Sequence, residues 1–117
     1  MATRTLVMTG FLLACAAGGT AVTHAASEPE GAADPAGGKV IFLKLCAGCH
    51  GPGGKGDGYR LLGADPANLT SAGTKNKPDA ELLATIHSGK GTMPSWNGRL
   101  SPQESRQVLA YIRSLPK

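Results

Sequence analysis

Cys46-Ala47-Gly48-Cys49-His50 constrains this chain more than any other stretch. Two cysteines three residues apart, with a histidine directly after the second, are the attachment signature of a c-type haem. The spacing has a physical reason. On a helical turn residues i and i+3 share a face, so Cys46 and Cys49 can each bond one vinyl group of the same porphyrin. His50 then offers its imidazole to the iron from the proximal side. Other uses of a C-x-x-C pair are poorly served. A thioredoxin-like redox site needs a βαβ setting, and no strand pattern occurs. Zinc needs further paired ligands, and Cys15 and His87 are badly placed to supply them.

The 117 residues allow one domain at most, and the first stretch does not read as part of it. A short basic start, Met1 to Arg4, leads into the uncharged run from Thr5 to Ala17 and then to Thr23-His24-Ala25, which resembles an A-x-A cleavage site. Residues 1–25 are therefore expected to be a secretory signal peptide. The strongly apolar part, Leu6 to Ala17, falls short of the roughly 20 residues that span a bilayer, which disfavours a membrane anchor helix. Leu12-Leu13-Ala14-Cys15 also resembles a bacterial lipobox. On that alternative residues 1–14 are removed and Cys15 carries a lipid anchor. Either route exports the protein to the periplasm, and neither leaves a partner cysteine for a disulfide. Residues 26–33, without a large apolar side chain, read as a flexible leader. The folded unit is expected from 34 to 117.

The chain carries 12 Lys+Arg against 8 Asp+Glu. Loss of residues 1–25 removes Arg4 alone, leaving eleven basic and eight acidic residues, a charge of +3. Two haem propionates bring this near +1. Nucleic-acid binding needs a clustered basic stripe with interleaved aromatics; the lysines here are scattered, and that role is set aside.

Three main helices are expected, in an all-α domain. Asp34-Pro35 is an N-cap with proline at the first helical position, and this helix should run into the haem motif. Gly38, Phe42 and Cys46 lie four apart on one face. A glycine there weakens the helix unless another helix crosses closely over it, which is the reading preferred. Pro78-Asp79-Ala80-Glu81 should open a second helix with proline at its first position and acids in its first turn. Leu82, Leu83 and Ile86 form its stripe and Gly89 its stop. His87, in its last turn, reads as a solvent-exposed cation rather than a haem ligand. Ser101-Pro102-Gln103-Glu104 is a capping box, and it opens a last helix with Val108, Tyr111, Ile112 and Leu115 on one face.

Two loops remain. Residues 51–77 begin with a glycine-rich run that mimics a phosphate-binding loop, but no G-x-x-x-x-G-K-[ST] is present and no strand precedes it. So long a connection is unusual unless it is functional, and wrapping a flat cofactor is such a function. A carbonyl near Pro66 is expected to accept the Nδ1–H of His50, with Leu69 packed on the ring. In the second loop, Gly91-Thr92-Met93-Pro94-Ser95-Trp96, Met93 is the one methionine that survives loss of the leader. Pro94 biases it to an extended backbone, a poor setting for core packing and a good one for distal axial ligation of iron. Trp96 is expected to cover a haem edge.

With these residues placed, the chain resembles a small monohaem class I cytochrome c. The resemblance covers roughly Gly38 to Leu115 and rests on Gly38 and Phe42, the attachment motif, Gly51 to Gly58, Pro66, Met93-Pro94 and the last helix with Tyr111. It implies the cytochrome c fold, with Gly38 and Phe42 against the Val108/Tyr111 face. It also implies a one-electron carrier outside the cytoplasm, ligated by His50 and Met93, that docks transiently with redox proteins at an exposed haem edge. Lys44, Lys55, Lys75 and Lys90 are candidates to ring that edge. Two rival readings are a haem subunit of a larger oxidoreductase and a haem peroxidase or small-ligand binder with an open distal site.

Overall fold

The computed structural model describes residues 33–117; the expected signal peptide, Cys15 and all but the last residue of the leader lie outside the described residues. Five helices follow in order: α1 (Pro35–Leu45), α2 (Ala47–His50), α3 (Ala72–Lys75), α4 (Asp79–Ser88) and α5 (Pro102–Ser114), with a 3-10 turn at Leu61–Gly63. Among the described residues there is no β-strand, only isolated bridges at Lys90–Met93 and Asn97–Leu100. The architecture is the all-α one expected, with α1, α4 and α5 as its main helices.

Local chemistry sets the ends of these helices. The Asp34 carboxylate accepts from the backbone N–H groups of Ala36 (2.9 Å) and Gly37 (3.0 Å), satisfying donors that the first turn of α1 leaves free. Pro78 is the N-cap of α4, one position earlier than expected, and Asp79 is its first helical residue. Gly89 ends α4 at φ +73°, where a Cβ would also come within 2.5 Å of the Met93 carbonyl oxygen. At α5 the capping box is complete: Ser101 Oγ accepts from the Glu104 N–H at 3.2 Å, and the Glu104 carboxylate accepts from the Ser101 N–H at 2.8 Å. These bonds hold Glu104 below the usual carboxylate range, against a smaller desolvation effect. A folded-state pKa below the unfolded one means stability present above about pH 4.5 and lost as pH falls through the lowered value. Glu104→Gln should therefore flatten the acid-side fall of the melting temperature, measured from about pH 5 to pH 3.

The core is the crossing of α1 and α5. Phe42, Val108 and Ile112 are buried there with Ile86 and Leu100. A Cβ at Gly38 would overlap the Gln107 carbonyl and stand 3.1 Å from Tyr111 Cβ, so the two backbones meet where the missing side chain leaves room. The Phe42 and Tyr111 rings pack at 5.2 Å between centroids, tilted by 55°. The contact centres on the backbone of Gln107, which the helical pattern places off the apolar face. Leu115, expected on that face, is buried but caps α5 with extended backbone, and Leu109 is a further buried residue of the helix.

Candidate functional site

α1 does not run unbroken into the motif. Cys46 keeps right-handed helical backbone but with a stretched φ of −114° (ψ −36°), and residues 47–50 form the next turn, α2. The turn is tied back by the His50 N–H to the Cys46 carbonyl at 2.9 Å, and by the Cys49 N–H to the same oxygen at 3.2 Å. The glycine-rich loop folds over it: the Gly56 N–H donates to the His50 carbonyl (2.8 Å), the Gly58 N–H to that of Cys49 (3.1 Å) and the Tyr59 N–H to that of Gly48 (2.7 Å). Both motif cysteines are half-buried, and no disulfide joins them. Burial, and then the neighbouring Cys49, push the Cys46 thiol up to about 11.

His50 Nδ1 lies 2.9 Å from the Ala67 carbonyl oxygen. A carbonyl can only accept, so Nδ1 carries the proton and Nε2 keeps its lone pair. Fixing the tautomer in this way prepares an imidazole for metal. The acceptor is Ala67 and not Pro66 itself; the Pro66 carbonyl faces Gly56 instead. Leu69 is placed by its own N–H, which donates to the Gly54 carbonyl at 2.7 Å.

On the other side, Met93 closes a tight turn whose tip is Gly91-Thr92, paired with Lys90 by reciprocal bonds of 3.0 and 3.2 Å. The loop is pinned to the end of α4 by Trp96 N–H to the Ile86 carbonyl (3.1 Å), Asn97 N–H to that of His87 (3.2 Å) and the Ser95 hydroxyl to the same His87 carbonyl. The Arg99 guanidinium stacks 5.6 Å from the Trp96 ring centroid.

These elements enclose a cleft in two lobes, of about 850 and 760 Å³ with their open mouths included. Cys46, His50, Met93 and Trp96 line both lobes. Leu69, Leu82, Ile86, Leu100 and Ile112 wall the first; Cys49, Tyr59, Leu61, Pro66 and Pro94 wall the second. All seven residues named from sequence thus gather at one cleft. An apolar slot with two thiols, a preset imidazole and a thioether on its walls fits a haem. A double variant Cys46→Ala, Cys49→Ala removes both attachment points and should give a haem-free chain without a cooperative melt, checked by calorimetry.

Some residues fall elsewhere than expected. His87 is not a free surface cation: its Nε2 meets the Ser105 hydroxyl at 3.0 Å, and Ser105 is fully buried. It faces α5, not the cleft. Lys75 is half-buried, with Nζ turned to the carbonyls of Ile112, Arg113 and Leu115. Tyr59 and Leu61 were missed as lining residues, and their hint in the sequence is the apolar cluster Tyr59, Leu61 and Leu62 after the glycine-rich run.

The fold and cleft define a covalent haem-binding, all-α domain of the class I cytochrome c kind. Residues 33–112 match the family model described as cytochrome c oxidase, cbb3-type, subunit III. The chain belongs to this family of c-type cytochrome domains, and its cofactor is haem c. Among relatives, it is 40% identical over 84 residues to the cbb3-type cytochrome c oxidase subunit FixP of Bradyrhizobium diazoefficiens, covering 70% of this chain and 28% of that protein. It is 36% identical to cytochrome c6 of a Nostoc species over 90 residues, 77% of this chain and 78% of the relative. With cytochrome c6 of a Picosynechococcus species it shares 37% over 105 residues, 86% and 90% of the two chains. The chain thus spans little more than a quarter of FixP but most of each cytochrome c6.

Proposed function

We propose that this chain is a one-electron carrier, with haem c held by Cys46 and Cys49 and its iron ligated by His50 and Met93. The observation that carries this is the pairing of His50 and Met93 on the walls of both lobes of one cleft, which Cys46 also lines. When bound, the haem supplies a reversible Fe(III)/Fe(II) couple. The rest is done by the chain's own residues. The Ala67 carbonyl keeps the proton on His50 Nδ1 and so directs Nε2 to the metal. The Lys90–Met93 turn and the anchors on Ile86 and His87 hold the thioether in place. A neutral sulfur ligand raises the potential. Leu69, Leu82, Ile86 and Ile112 exclude water from the ring's setting.

His50 and Met93 would hold the iron from both sides and leave no position for a substrate, the arrangement of a carrier rather than of a peroxidase or ligand binder. Partners dock transiently at the cleft rim on the Cys49 side. Tyr59 and Leu61 line that rim, and Leu62 stands 89% exposed beside it. Lys44, Lys55 and Lys90 are the cations free to steer acidic partners, and such contacts are small and short-lived. The setting is extracytoplasmic, consistent with the signal-like residues 1–25, or with a lipid on Cys15 where the lipobox is used; the mass of the mature N-terminus separates the two. Among the described residues no helix is long and apolar enough to cross a membrane. Similarity to FixP supports a second reading, in which the same electron transfer takes place in a fixed oxidase assembly.

An equilibrium redox titration tests the main reading. A single wave with one-electron slope, and no turnover of peroxide, is the expected result; peroxide turnover faster than free haem would refute it.

A further inference from the structure

Seven hydrogen bonds join two stretches that are nearly forty residues apart in sequence. From one side, Lys75 Nζ donates to the carbonyls of Ile112 (2.7 Å), Arg113 (2.9 Å) and Leu115 (2.9 Å). These carbonyls lie at the negative C-terminal end of α5, where backbone partners run out; of the three, that of Ile112 also accepts from the Leu115 N–H at 3.3 Å. From the other side, the Arg113 guanidinium donates to the carbonyls of Lys75 (2.8 Å) and Lys77 (2.5 Å), and twice to the Asp79 carboxylate (2.7 and 2.9 Å). Each cation satisfies the backbone around the other. Holding Lys75 there costs solvation: burial, then the nearby Arg113 and Lys117, lower its pKa.

What this clamp holds is the entry to α4. Asp79 is the first residue of that helix, and Thr74, Lys77, Leu82, Thr85 and Ile86 form one wall of the cleft. The far end of α4 carries the Met93 loop through the Ile86 and His87 carbonyls. α4 meets α5 much less extensively than α1 does, so its position depends more on the bonds at its ends. We propose that Lys75 and Arg113 are positioning residues for Met93: by fixing the start of α4 on the end of α5, they set how readily the methionine-bearing half of the cleft opens. The proposal rests on Met93 being the distal ligand.

Competition by imidazole in the oxidised haem-loaded protein reads this opening, because an external ligand binds only the open form and its apparent affinity scales with that population. Lys75→Met and Arg113→Met should each raise imidazole affinity about tenfold, the scale of losing a charge-assisted hydrogen bond. The double variant should gain far less than the product of the two, because both belong to one device. Glu104→Ala, which uncaps α5 far from the clamp, should lower the melting temperature and leave imidazole affinity unchanged. Unaltered affinity in the clamp variants, or an equal rise in Glu104→Ala, overturns the proposal. Should the clamp variants not fold, hydrogen exchange on the wild-type holoprotein decides. Amides of residues 82–89 opening together, ahead of α1 and α5, support it, and exchange of all three helices in one global step contradicts it. Wild type lacking a sulfur-to-iron charge-transfer band would instead refute ligation by Met93, a failure separate from that of the clamp.

Discussion

Met93→Ala gives a holoprotein that binds carbon monoxide readily in the reduced state, and its potential falls by on the order of 0.1–0.2 V, part of the ~0.8 V range that axial ligands command. The haem stays attached, because Cys46, Cys49 and His50 are untouched. The fold should survive as well: the Lys90–Met93 turn is made by backbone groups that alanine retains, and the loop's anchors are the amides of Trp96 and Asn97. Removing the side chain therefore subtracts a ligand and some packing against the core without removing the loop. A spectroelectrochemical titration of wild type and variant, with carbon monoxide added to each reduced form, measures both effects. An unchanged potential would mean that the sulfur is not on the iron.

Gly38→Val is the second large effect, and it acts on stability. Its side chain has nowhere to go, since the first added carbon already overlaps the Gln107 carbonyl. Backbone cannot rotate away as a side chain can, so α1 and α5 must separate. That separation loosens the packing of Phe42 on Tyr111 and of Val108 within the core. The cost is about 3 kcal/mol or more, at the upper end of overpacking effects. For a domain of this size that lowers the melting temperature by roughly 12–25 °C. Thermal unfolding followed at the haem Soret band checks it, and Gly38→Ala should fall in the same direction by less. A valine variant that melts like wild type would contradict the close crossing.

How much of this was legible in the sequence depends on how local each feature is. The attachment motif, the Asp34 cap, the Ser101–Glu104 capping box and the Gly89 stop are readable because their partners lie within a few residues. Met93 was singled out by elimination, as the one methionine outside the expected signal peptide, and its place on the cleft wall agrees with that reading. The Gly38 crossing was legible as an anomaly, a glycine on the buried face of a helix. Other features are set by tertiary placement. Ala67 holds the proton of His50 through a backbone carbonyl, which every residue has, so nothing in the sequence distinguishes it from Pro66. Lys75 reads as one lysine among several, and only the position of α5 turns it into a cap. His87 has the sequence signs of a helix-end cation, but the buried Ser105 of a distant helix claims its ring. The break at Cys46 was likewise hidden, because the helical pattern continues through it.

Closure of both sides of the iron by His50 and Met93 is what would make the protein a carrier. The most direct measurement is the spectrum of the purified wild-type holoprotein, first oxidised and then reduced under carbon monoxide. Low-spin ferric haem with a sulfur-to-iron charge-transfer band, and no ready formation of a carbon monoxide complex, is the expected result. High-spin ferric haem that binds carbon monoxide rapidly on reduction would contradict it.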